Sequence, residues 1–79
     1  MFTRANVELF LEANEDTIPE VKRQSIRRRA DELMEDGGRI AMGCASQIWL
    51  DPAELTAFQA ALETLPHQRI FADHIGSSI

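Results

Sequence analysis

A chain of 79 residues with a formal net charge of −5 and a hydrophobic fraction of 44% holds one domain, with enough apolar side chain for a compact core. The acidic balance opposes general attraction to a nucleic-acid backbone or an anionic membrane surface. Cys44 has no second cysteine to pair with, and no apolar run approaches the roughly 20 residues needed to cross a bilayer.

The first residues, MFTRANVELFLEANED, lack the basic start, long apolar centre and small-residue cleavage site of a signal peptide. Together with the lone Cys44, this predicts a complete chain in a reducing, cytoplasmic setting, with no membrane partner. Thr3 reads as the N-cap of a first helix over Arg4–Ala13. Val7, Phe10 and Leu11 mark its apolar side, with Ala5 and Leu9 nearby, and Asn14-Glu15-Asp16 closes it. Thr17-Ile18-Pro19-Glu20 opens a second helix, with Thr17 as cap and Glu20 completing a capping box. That helix is expected over Ile18–Glu35, burying Ile18, Val21, Ile26, Ala30, Leu33 and Met34. Gly37-Gly38 stops it, with Gly37 free to take the left-handed position after the helix.

Arg39–Met42 and Gln47–Leu50 read as two strands joined in a hairpin through Gly43-Cys44-Ala45-Ser46. One longer, bent strand is the competing reading. A strongly marked helix follows over Pro52–Leu65. Asp51 is its N-cap, Pro52 lies at N1, Glu54 at N3, and Leu50 can staple onto Leu55. Leu55, Phe58, Leu62 and Leu65 form one apolar stripe, and Pro66 ends the helix. Gln68–Ala72 is either a third short strand or gives way to a helical turn over Ala72–Ile75, and Gly76–Ile79 is a flexible tail. The expected fold is therefore a single α+β domain over residues 1–75, in the order α-α-β-β-α-β. Two or three short antiparallel strands are packed by three helices, with an all-helical arrangement as the alternative.

The chemistry-bearing residues do not form a recognisable catalytic pattern. Phosphate-cradling, dinucleotide-binding and metalloprotease spacings are absent, and Cys44, His67 and His74 are too widely spaced for a metal motif. A non-enzymatic protein without cofactor or metal is expected. Glu12, Glu15, Asp16 and Glu20 cluster across the first interhelix turn, either as a solvated surface or as a docking face for a basic protein. Glu54 and Glu63 belong to a second stretch, from Asp51 to Pro66, with acids and no Lys or Arg. Trp49 points opposite Ile48 and Leu50 if the stretch is a strand, so it is either core or an exposed interface anchor. Lys22, Arg23, Arg27, Arg28 and Arg29 form the one basic cluster and suggest an alternative, a small nucleic-acid-binding regulator.

The favoured reading is an interaction module, an inhibitor or adaptor that works by occupying another protein's surface. Its contact candidates are Glu12, Glu15, Asp16, Trp49, Glu54 and Glu63. Small size and missing chemistry suggest a mobile-element protein, and its acidic faces, by occupying a basic groove, suit one that blocks a nucleic-acid-handling complex. A homo-oligomer is also compatible with so small a domain.

Overall fold

A computed structural model describes residues 1–64 and shows a small α+β fold. A two-stranded antiparallel sheet, β1 (Phe2–Thr3) and β2 (Arg39–Ile40), packs with four helices: α1 (Arg4–Ala13), α2 (Glu20–Leu33), α3 (Ala45–Ile48) and α4 (Pro52–Ala61). Single 3-10 turns at Asp36–Gly38 and Met42–Cys44 flank β2. The order is thus β-α-α-β-α-α over the described residues, and the α+β class holds while the strand positions differ from the sequence expectation.

The capping chemistry of α1 is reciprocal. The Asn6 amide donates to Thr3 Oγ1 at 3.1 Å, and the Thr3 amide donates to Asn6 Oδ1 at 2.9 Å. Asn6 is fully buried and takes the place of the usual Glu or Gln in such a box. Thr3 is also the last residue of β1, so the same residue ends the strand and starts the helix. For α4, the Asp51 carboxylate accepts from the Ala53 amide at 2.8 Å, with Pro52 in the first turn.

Three expectations at the start of α2 are corrected. Pro19, not Thr17, occupies the N-cap, with ψ 152° and no side-chain cap bond. The turn before it is held instead by the Thr17 and Ile18 amides, both donating to the Asn14 carbonyl at 2.9 Å. Ile18 drops into the core ahead of the helix, and Val21, expected inside, is 84% exposed. At the other end α2 stops at Leu33, so Gly37 is not its terminal glycine. Gly37 and Gly38, with φ of 80° and 76°, serve the tight turn into β2.

The expected hairpin does not form. β2 pairs with β1 across the chain, Phe2 opposite Ile40 and Thr3 opposite Arg39, and its other side meets Glu35 opposite Arg39. Gln47–Leu50, expected as a strand, contributes to one helical turn, α3, and Trp49 leaves its end. Ile48 and Trp49 are then both buried, which strand alternation does not allow. Trp49 is 1% exposed and is a core residue, so it is withdrawn as an interface anchor. Leu50 is exposed instead of stapling the start of α4.

The core is centred on aromatic rings. Phe58 lies 5.0 Å from Phe2, 5.4 Å from Phe10 and 4.8 Å from Trp49, and Phe10 lies 5.0 Å from Trp49. Three of these four contacts are edge-to-face, a geometry worth about 0.5–1.5 kcal/mol per pair beyond area burial. Val7, Leu11, Ile18, Ile26, Ala30, Ile40, Ala45, Ile48 and Leu62 complete the cluster. The expected end of the last helix at Leu65–Pro66, the third strand at Gln68–Ala72 and the tail at 76–79 lie outside the described residues, as do His67 and His74.

Candidate functional site

The turn between α1 and α2 presents most of the acidic candidates on a rigid base. Asn14 ends α1: its amide donates to the carbonyls of Phe10 at 3.1 Å and Leu11 at 3.2 Å, and its side-chain amide donates to Phe10 at 2.8 Å. Arg23 reaches back from α2 and donates through Nη1 to the carbonyls of Glu15 and Ile18. Buried Ile18 pins the far side. The turn is thus anchored at Asn14, Thr17 and Ile18, with its acidic side chains outside. Glu12, Glu15, Asp16 and Glu20 are all exposed, and none takes part in an ion pair among the described residues.

Glu54 and Glu63 do not join this tip. Lys22 Nζ lies 2.9 Å from Glu54 Oε2 and 3.7 Å from Asp51 Oδ2, tying the start of α2 to the start of α4. Glu54 raises the Lys22 pKa, and the Ala53 amide lowers that of Asp51. Glu54 is thus engaged within the molecule, and its Oε1 is buried with no partner among the described residues. From that contact α4 runs toward Phe2, so exposed Glu63 lies beyond the opposite end of the helix.

The basic run is dispersed by its contacts. Arg27 grips Glu8 with Nε at 3.0 Å and Nη2 at 2.7 Å. Arg29 donates to the Ile48 carbonyl at 3.3 Å and to Ser25 Oγ at 3.0 Å. Lys22 and Arg23 are engaged as described above. Arg28 is exposed and makes no hydrogen bond or ion pair among the described residues. The five cations do not line one open groove of the kind that tracks a phosphate backbone.

The contact that sequence reasoning missed is the Glu8 hub. Besides Arg27, Glu8 receives Arg4 at 3.2 Å, and Arg4 continues to Asp31 at 2.7 Å. The Arg4–Glu8 spacing of four was a readable signal, whereas the cross-helix partners Arg27 and Asp31 depend on how α1 meets α2. The hydrogen bond from Arg27 is the main cause holding the Glu8 carboxyl below its ordinary value.

Among the described residues no group of His, Cys, Asp and Glu is arranged to hold a metal ion, and no helix is long and apolar enough to cross a membrane. Cys44 is a half-buried free thiol. Compared with protein-family models, with curated proteins and with solved structures, the chain matches none.

Proposed function

We propose that the protein is a non-enzymatic interaction module whose acidic α1–α2 tip occupies a basic surface on another protein, acting as an inhibitor or adaptor. One observation carries the reading: the described cations are largely spent on contacts within the fold, while Glu12, Glu15, Asp16 and Glu20 are exposed and outside any ion pair among the described residues, on a turn anchored by Asn14, Ile18 and Arg23. With the turn anchored, docking has side chains rather than main chain to order, and a net acidic surface speeds encounter with a cationic partner. Blocking a basic groove of a nucleic-acid-handling complex is the form of the proposal that matches this charge.

The test is capture of partners from the native cell on the full chain and on a Glu12→Lys/Glu15→Lys/Asp16→Lys variant, at low and high salt. The proposal expects a captured protein with a basic surface, released by salt and lost from the variant. Capture that survives both changes overturns it.

A further inference from the structure

The turn that joins α2 to β2 holds the chain's only Asp-Gly pair, Asp36-Gly37. No residue of Asp36–Gly38 is buried, and Asp36 and Gly37 are both exposed. Two main-chain bonds close the turn. The Glu35 amide donates to the Arg39 carbonyl at 2.7 Å, and the Gly38 amide donates to the Glu35 carbonyl at 3.0 Å. Arg39 Nε adds a third bond, to the Asp36 carbonyl at 3.2 Å. The Gly37 amide donates to nothing among the described residues.

An aspartate side chain and the amide nitrogen that follows it are placed by covalent structure to close a small ring. A bulky next residue, or a hydrogen bond that holds the amide, prevents this. Every other described aspartate is protected in one of these ways. The amide after Asp16 belongs to β-branched Thr17 and donates to the Asn14 carbonyl at 2.9 Å. Glu32, after Asp31, lies inside α2, where the helix ladder holds its amide. Pro52, after Asp51, has no amide proton. Gly37 has neither a side chain nor a bond. Ring closure turns the Asp36 Cα–C bond and opens the turn, but it uncovers no buried side chain of Asp36–Gly38. Glycines at 37 and 38 accept the new dihedrals, so the opening is local.

We infer that Asp36 is a site of spontaneous aspartate isomerisation. The Gly37 nitrogen gives up its proton and bonds to Asp36 Cγ, and a Cγ–O bond breaks as the oxygen leaves in water. A solvent water then opens the cyclic imide. Addition at Cγ restores Asp36. Addition at the main-chain carbonyl carbon breaks its bond to the Gly37 nitrogen. The chain then runs through Cβ and Cγ, with a free α-carboxylate. The water lost is regained, so mass and oxidation state do not change. The product has one more carbon in its main chain, about 1.5 Å of added length. That insertion falls where the turn sets the start of β2. Arg39 pairs with Glu35 on one side and with Thr3 on the other, and Thr3 also caps α1. Isomerisation therefore loosens β2 and the strand that starts α1. Neither the site nor its effect depends on the role of the acidic tip.

The experiment ages the full chain at neutral pH and body temperature and samples it over weeks. Trypsin releases residues 30–39, which carry Asp31 beside Asp36. Electron-transfer fragmentation locates the isoaspartate, and methyl uptake from an isoaspartate-specific methyltransferase measures it. The expected result is steady accumulation at Asp36 with none at Asp31. No product at Asp36, or equal amounts at both, overturns the inference. Mild urea, short of the unfolding transition, should leave the rate almost unchanged. A rate that climbs in step with the unfolded fraction means that only the unfolded chain reacts, and overturns it. Asp36→Glu, which would need a larger ring, should abolish the signal. Asp36→Asn should form isoaspartate several-fold faster, with release of ammonia. If either variant fails to fold, the wild-type comparison of Asp36 with Asp31 decides alone. The isomerised fraction, separated by ion exchange, should unfold at lower urea than unaged protein. An unchanged midpoint overturns the coupling to β2.

Discussion

Glu8 receives guanidinium groups from its own helix and from α2, and Arg27 approaches both of its oxygens, at 3.0 Å and 3.2 Å from Nε and 2.7 Å from Nη2. Such a forked pair restricts how α2 sits on α1, which a single-point contact from lysine does not. The side chain is 33% exposed, so solvent screens the pair, and its net contribution is about 1 kcal/mol. Arg27 lowers the Glu8 pKa on folding. The carboxylate's contribution is therefore complete above its ordinary value of 4.5, and it is lost as pH falls through the lowered folded value. Glu8→Gln should destabilise the protein by about 1 kcal/mol at neutral pH. In acid, where the wild-type carboxyl is also neutral, the two proteins should converge. Urea unfolding across the pH range checks this, and a gap that persists in acid would show that the carboxylate charge is not what matters.

At the scale of the elements, two threonines with equal claims in the sequence have different roles. Thr3 caps α1 through Oγ1, while Thr17 lies in an exposed turn and contributes its main-chain amide to Asn14. Thr3→Ala should therefore cost about 1 kcal/mol in thermal or urea unfolding. Thr17→Ala should fall within about 0.5 kcal/mol of wild type, as exposed positions do. Equal losses would restore Thr17 as a cap. The contrast also marks how far the sequence could be read. Arg4–Ala13 and the start of α4 were legible because a cap and an apolar period agree there, locally. Thr17 was misleading because Ile18 gains more by entering the core than a helix gains by starting two residues earlier. The run of Ile48, Trp49 and Leu50 fits a strand or a helical turn by composition alone. The choice rested on Phe10 and Phe58, which are distant in sequence and enclose Trp49. β1 left no mark, since two residues are too few to show alternation and their partner lies at Arg39–Ile40. The acidic tip was legible as composition, whereas the removal of Glu54 from it by Lys22 follows from the packing of α2 near α4.

Across the whole molecule, charge pairs favourably along α1, α2 and α4 but is placed against stability at the α1–α2 tip. Glu15 and Asp16 follow Asn14, the C-cap of α1, whose last turn contains no basic residue to offset the negative end of its dipole. They also add to a net charge of −5 that already repels itself. A surface kept for partner contact has this character, since residues selected for docking are not placed for folding. Glu15→Gln/Asp16→Asn should therefore unfold at higher temperature than wild type in low salt, by the equivalent of about 0.3–1 kcal/mol. The difference should shrink near 1 M salt, where the screening length falls to about 3 Å. Protein concentration must be equal in the two melts, because any self-association shifts apparent stability by mass action. Partner capture should move in the opposite direction and weaken as the tip is neutralised. A variant less stable than wild type at both salt levels would make these carboxylates part of the folding of the turn and remove the ground for reading them as a docking surface.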